Sequence, residues 1–226
     1  MDKLIFANWK SQKLVSQIEP WVVAVGAPPA GVSVIVMAPF SLLGSVGSQL
    51  PVGIGLGAQD VSPFPLGAYT GEIAAAQLAD MKVTHCLAGH SERRKYFAET
   101  SEQVAKKCEQ LLQVGITPVV CVDEPYLEEQ LGLLSAEVLK ACVIAYEPLS
   151  AIGTGDNAPL DVVRTMVEKI KQLADVPVIY GGSVTSDSIG EYLLVCDGAL
   201  VGSASLDGSA FAKLLAVAAA KAPSFA

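Results

Sequence analysis

At 226 residues, 51% of them hydrophobic and 17% charged, the chain has enough apolar content for one core and too little length to suggest two. A formal net charge of −8, with no basic run and no basic-aromatic interleaving, argues against nucleic-acid or anionic-membrane partners and requires any anion site to be built locally. No run reaches the ~18 consecutive apolar residues of a membrane span, and Met1-Asp2-Lys3 leads into an apolar run too short for a secretory signal, so a soluble, cytoplasmic protein is expected.

In chain order, short aliphatic or β-branched runs recur at Leu4–Ala7, Val32–Ala38, Ile54–Ala58, Val83–Ala88, Thr117–Val122, Cys142–Tyr146, Val176–Tyr180 and Gly198–Val201. Stretches with helical spacing lie between them, as at Ser101–Val114 and Leu160–Leu173, and the Ala-rich end Phe211–Ala220 reads as a last packing helix before a frayed tail, Pro223–Ala226. Continuously apolar strands are buried on both faces, which implies a parallel sheet with helical crossovers. The pattern fits a single-domain (β/α)8 barrel over 1–226, with eight parallel strands and outer helices. A doubly wound open sheet satisfies the same periodicity. Cys86, Cys108, Cys121, Cys142 and Cys196 form no CxxC pair and mostly sit in apolar runs, as reduced buried thiols do.

In a parallel α/β barrel the chemistry sits where strands end. The first strand ends in Asn8 and Lys10, two residues apart and therefore on one side. Lys10 is either a solvated loop cation or a charge aimed into the barrel mouth. The fourth runs into Gly89-His90-Ser91-Glu92. His90 precedes a short helix predicted to begin near Ser91, whose dipole favours a neutral imidazole able to donate to a substrate oxygen. His85, before the end of its strand, suits a satisfied structural role. The sixth ends in Glu147, a carboxylate that is costly there without a partner or a task. It is followed by a loop with Pro148 at one end and Gly153-Thr154-Gly155 at the other, the composition of a lid. The seventh and eighth end in "YGGSVT" and "LVGSASL", which are either ordinary tight turns or a close backbone grip on phosphate.

These joints, with "HSERR", "YEP" followed by "AIGTG", and "YGGSV" in this order, resemble the triosephosphate isomerase family over nearly the whole chain. "AQDVSPFPLGAYTGE" resembles the family's interface loop after strand three, and "PVVCVDE" its strand five. The resemblance implies interconversion of dihydroxyacetone phosphate and glyceraldehyde 3-phosphate with Glu147 as base, His90 as electrophile, and Lys10 and Asn8 as electrostatic and orienting groups. Both roles, base and neutral histidine, are those of the family's known mechanism. It further implies phosphate contacts at Gly153, Ser183, Gly202 and Ser203, supporting positions at Ser91, Glu92 and Cys121, and Thr70 reaching across a dimer interface toward Asn8. It implies no metal and no cofactor, and no metal-ligand spacing or dinucleotide fingerprint is present in the sequence.

Three departures accompany the match. Pro148-Leu149-Ser150 stands where the family has a bulky tryptophan in the lid hinge, and Ser203 replaces a glycine in the strand-eight turn. The stretches Cys121–Cys142 and Gly155–Val176 are shorter than usual, as in compact members found mainly in archaea, some of them tetrameric. The loop Asp60–Glu72 is complete, which favours a homodimer, with a tetramer as the alternative. Another phosphate-binding barrel, or a catalytically silent one, is the competing reading.

Overall fold

The structure, a computed structural model, describes residues 2–148 and 157–222. Eight strands, β1 (Lys3–Asn8), β2 (Val32–Ala38), β3 (Ile54–Ala58), β4 (His85–Ala88), β5 (Thr117–Val122), β6 (Val143–Tyr146), β7 (Val178–Tyr180) and β8 (Gly198–Val201), pair in parallel in chain order. β8 closes on β1 with Leu4 opposite Gly198, so the sheet is a barrel and the doubly wound alternative is excluded. Around it run α1 (Ile18–Val25), α2 (Leu43–Gly47), α3 (Ala75–Asp80), α4 (Ser91–Phe97), α5 (Ser101–Gln113), α6 (Leu127–Leu133), α7 (Ala136–Ala141), α8 (Leu160–Leu173), α9 (Ile189–Tyr192) and α10 (Gly208–Ala219).

Where strand ends differ from the sequence expectation, local hydrogen bonding explains it. β4 starts at His85 rather than Val83 because the Val83 N–H returns to Leu78 O, closing a turn in which Lys82 takes φ 64°. β6 starts one residue late because the Cys142 N–H still belongs to α7, bonded to Val138 O. β7 loses Val176 and Pro177, the latter having no N–H to give to a ladder. The last helix begins at Gly208 rather than Phe211 because Asp207 caps it, accepting the Ala210 N–H at 2.8 Å.

Strand alternation divides the core into two shells. One face of the strands packs on the helices, where Trp9 meets Trp21 edge-on at 4.9 Å and Trp21 stacks on Phe211 at 5.6 Å, tying α1 to α10. The other face fills the barrel lumen with Phe6, Ile35, Met37, Leu87, Cys121 and Leu200 among others. Gly57 is part of that packing: a Cβ there would stand 2.2 Å from Met37 Sδ. His85, in the floor of the lumen, meets Phe6 edge-on at 5.4 Å, and burial pushes its imidazole down to about 4. With the lumen filled by these side chains, chemistry is expected at the rim formed by the strands' C-terminal ends. Among the described residues no helix is long and apolar enough to cross a membrane.

Candidate active site

The residues one pleat above the lumen core form the site. Phe6, Ala145, Ile179 and Leu200 point inward, so two residues on, Asn8, Glu147, Gly181 and Gly202 emerge at the rim. They surround a cavity of about 480 Å3, together with Lys10, His90, Ser183, Thr185 and Ser203.

Lys10 takes φ 49°, a left-handed conformation that costs a non-glycine residue about 1–3 kcal/mol and persists only where its surroundings enforce it. They do so through the Asn8 side chain, whose Oδ1 accepts the Lys10 N–H at 3.1 Å, and through Gln59, whose Nε2 donates to Lys10 O at 2.9 Å and to Met37 O at 2.8 Å. The turn throws the ammonium across the cavity mouth to Glu92, at 2.6 Å, with its stem beside Gly202, whose Cβ would sit 3.6 Å from Lys10 Cε. The cation therefore stands next to the β8 turn, where Gly202, Ser203 and Ala204, at the start of the 3-10 segment Ser203–Ser205, line the cavity.

His90 is the N-cap of α4. Its Nδ1 accepts the Glu92 N–H at 3.2 Å, which leaves the proton of a neutral imidazole on Nε2. Nε2 lies 3.1 Å from Glu147 Oε1 and 3.4 Å from Asn8 Nδ2. The other oxygen, Glu147 Oε2, accepts the Ser91 N–H at 3.0 Å. Glu147 is 1% exposed, so its carboxylate is satisfied by protein donors, His90 and Ser91 among them, rather than by water. Beneath it lies Cys121, whose thiol burial, and next the neighbouring Glu147 carboxylate, hold well above the ordinary range. It is no nucleophile in this setting. Gly181 makes room for the base, since a Cβ there would stand 2.8 Å from Glu147 Cγ and 3.2 Å from Tyr146 O. Gly181→Ala is accordingly expected to displace the carboxylate and lower kcat by about 10²-fold, the loss that a misplacement near 1 Å brings. Steady-state kinetics checks it, with thermal unfolding as the control for folding.

The structure thus brings Asn8, Lys10, His90, Ser91, Glu92, Glu147, Ser183, Gly202 and Ser203 to one rim, with Cys121 in the lumen beneath it. Thr70 is exposed on the β3–α3 connection and does not line the cavity. Gly153, Ser150 and the rest of the expected lid fall at 149–156, outside the described residues. At Ala158 both backbone groups are held: its N–H donates to Tyr180 Oη at 3.0 Å, and its carbonyl accepts from Tyr192 Oη at 2.7 Å. Gln59, Gly181 and this tyrosine pair went unassigned in the sequence. Gln59 directly follows β3 as Glu147 directly follows β6.

Comparison with known proteins bears on the family. A family model described as triosephosphate isomerase matches residues 3–218. The triosephosphate isomerase of Thermus thermophilus is 36% identical over 245 residues, covering 95% of this chain and 98% of that protein. That of Corynebacterium efficiens is 40% identical over 253 residues, covering 96% of each. That of Corynebacterium diphtheriae is 43% identical over 218 residues, covering 83% of this chain and 84% of the relative. A rim that pairs a buried carboxylate with a helix-capping imidazole on a closed eight-stranded barrel, and a match spanning nearly all of it, lead to one conclusion: the chain belongs to the triosephosphate isomerase family.

Proposed function

We propose that this chain interconverts dihydroxyacetone phosphate and D-glyceraldehyde 3-phosphate, with Glu147 as the base and His90 as the electrophile. The observation that carries the reading is the 3.1 Å approach of His90 Nε2 to Glu147 Oε1 at a cavity that also holds Lys10 and the β7 and β8 turns. Substrate entering between them replaces that contact. The Nε2–H then donates to the carbonyl oxygen while the carboxylate faces the adjacent carbon. Glu147 takes a proton from that carbon, the electron pair forms the carbon–carbon double bond, and the carbonyl oxygen gains the charge that His90 stabilises. Return of the proton to the neighbouring carbon, with His90 moving a proton between the two oxygens, completes the exchange. Lys10, held beside Gly202, suits both the enediolate and the phosphate, whose remaining contacts are assigned to Ser183, Gly202, Ser203 and Gly153. Asn8 orients Lys10 by accepting its backbone N–H, and Ser91 receives the carboxylate at rest.

The deciding experiment is a coupled assay of the purified protein with D-glyceraldehyde 3-phosphate. Formation of dihydroxyacetone phosphate is the expected result. Its absence would favour a silent barrel or one acting on another phosphorylated substrate.

The same reading includes a homodimer in which Thr70 of one copy reaches toward Asn8 of the other. Supporting it, a second cavity of about 240 Å3 opens beside Asn8, Lys10 and His90, lined by Phe40, Gln59 and Phe97. The connection between β3 and α3 presents Phe64, Leu66 and Tyr69 at 43%, 63% and 41% exposure, an apolar surface that a second copy would cover. Sedimentation at micromolar concentration is expected to give a dimer. A monomer would overturn the assembly, and a tetramer would add a further interface. The five cysteines are buried free thiols, which supports a reducing, cytoplasmic location.

A further inference from the structure

The two adjacent arginines of the His90–Arg94 segment do different things. Arg93 faces an ion network, with Nη2 2.9 Å from Asp60 and Nε 3.4 Å from Glu99. Arg94 has no carboxylate within 4 Å among the described residues. Its guanidinium goes to neutral acceptors instead: Nε donates to Gly89 O at 3.1 Å, Nη1 to Ser101 Oγ at 3.3 Å and Nη2 to Gln130 Oε1 at 2.5 Å. Its plane lies 4.2 Å from the Tyr126 ring. Gln130 is fully buried and is itself fixed by donating to Ser101 O at 3.2 Å. The fork is therefore braced on α5 and α6 while its third arm holds the carbonyl immediately before His90.

That carbonyl belongs to the turn on which the candidate chemistry depends. Gly89 takes φ +76°, and a Cβ there would lie 2.9 Å from Arg94 Nη2, so backbone and guanidinium pack with no spare room. From this turn issue the His90 ring, the Glu92 N–H that fixes the ring's tautomer, and the Ser91 N–H that holds Glu147.

We propose that Arg94 is a positioning residue for the isomerisation: by clamping Gly89 O against α5 and α6 it sets the aim and tautomer of His90 and the placement of the Ser91 N–H. This rests on the reading of His90 and Glu147 given above. An ammonium cannot span three acceptors in a fixed fork, so charge alone does not substitute for the guanidinium.

The test uses Arg94→Lys and Arg94→Met beside Leu214→Ala, a cut in the α10 core that lowers stability far from the rim. With D-glyceraldehyde 3-phosphate, Arg94→Met is expected to lower kcat by about 10²-fold and Arg94→Lys by about 10-fold, with KM within about 2-fold, as misaimed groups rather than lost substrate contacts require. Leu214→Ala keeps its kcat. Independently of activity, 15N NMR of the imidazoles is simple to assign because the chain has 2 histidines. The His90 signals should report the Nε2–H tautomer in the wild type and a mixture of tautomers in both Arg94 variants. Should Arg94→Met not fold, Arg94→Lys decides alone. A folded Arg94 variant with wild-type kcat and an unchanged His90 spectrum overturns the proposal. An inactive wild type would instead overturn the functional reading while leaving the NMR comparison to judge Arg94.

Discussion

Glu147→Asp is expected to lower kcat by about 10²-fold while leaving the folded protein intact. The substitution retracts the carboxylate by one methylene, and a displacement near 1 Å at a reacting centre costs about that much. Glu147 sits where β6 meets the rim, with Oε1 3.1 Å from His90 Nε2 and Oε2 3.0 Å from the Ser91 N–H. A shortened side chain cannot keep both donors and also reach a substrate carbon. KM should change far less than kcat, because the carboxylate contacts the reacting carbon rather than the phosphate. Steady-state kinetics in both directions measures it, with thermal unfolding as the control for folding. Wild-type turnover in this variant would remove Glu147 as the base.

Lys10→Ala is expected to impair both parameters, lowering kcat by about 10²- to 10³-fold, the cost of removing one preorganised electrostatic group, and raising KM as well. The ammonium is the one cationic side chain lining the larger cavity among the described residues, and it lies beside Gly202, where phosphate contacts are proposed. With a formal net charge of −8 the protein as a whole repels an anionic substrate, so the loss of this local charge is not made good from elsewhere. The removal also leaves Glu92 without its 2.6 Å partner, adding a carboxylate at the mouth of an anion site. Lys10→Arg is a useful companion: it keeps the charge but brings a planar fork to a position reached through a left-handed turn, and it should recover KM more than kcat. A Lys10→Ala protein with both constants unchanged would take the lysine out of the site.

Most of the architecture followed from residue patterns, and the reason is local. A barrel strand covered on both faces is apolar at most positions, so eight such runs with helical spacing between them could be located by reading along the chain. Four of the eight strands keep their expected bounds, β1 gains a residue at each end as Lys3 and Asn8 join the pairing with β2, and β4, β6 and β7 start late where a neighbouring turn retains an N–H or a proline lacks one. Periodicity left closure undecided, because an open and a closed parallel sheet make the same demands on each strand. The pairing of Leu4 with Gly198, at opposite ends of the chain, settled it.

The candidate catalytic side chains were legible for a related reason. Asn8, Lys10, His90 and Glu147 are polar residues at the ends of apolar runs, so each stands out against its own neighbours. What the sequence by itself determined was therefore the elements and the chemically conspicuous residue at each joint. Only the tertiary structure decided what those residues do to one another. The His90 tautomer depends on a backbone N–H two residues away, the room for Glu147 on the missing side chain of Gly181, and the aim of the turn on Arg94 reaching across to α6. Those relations join groups on different strands and helices, and closing the barrel is what brings them within a few ångströms.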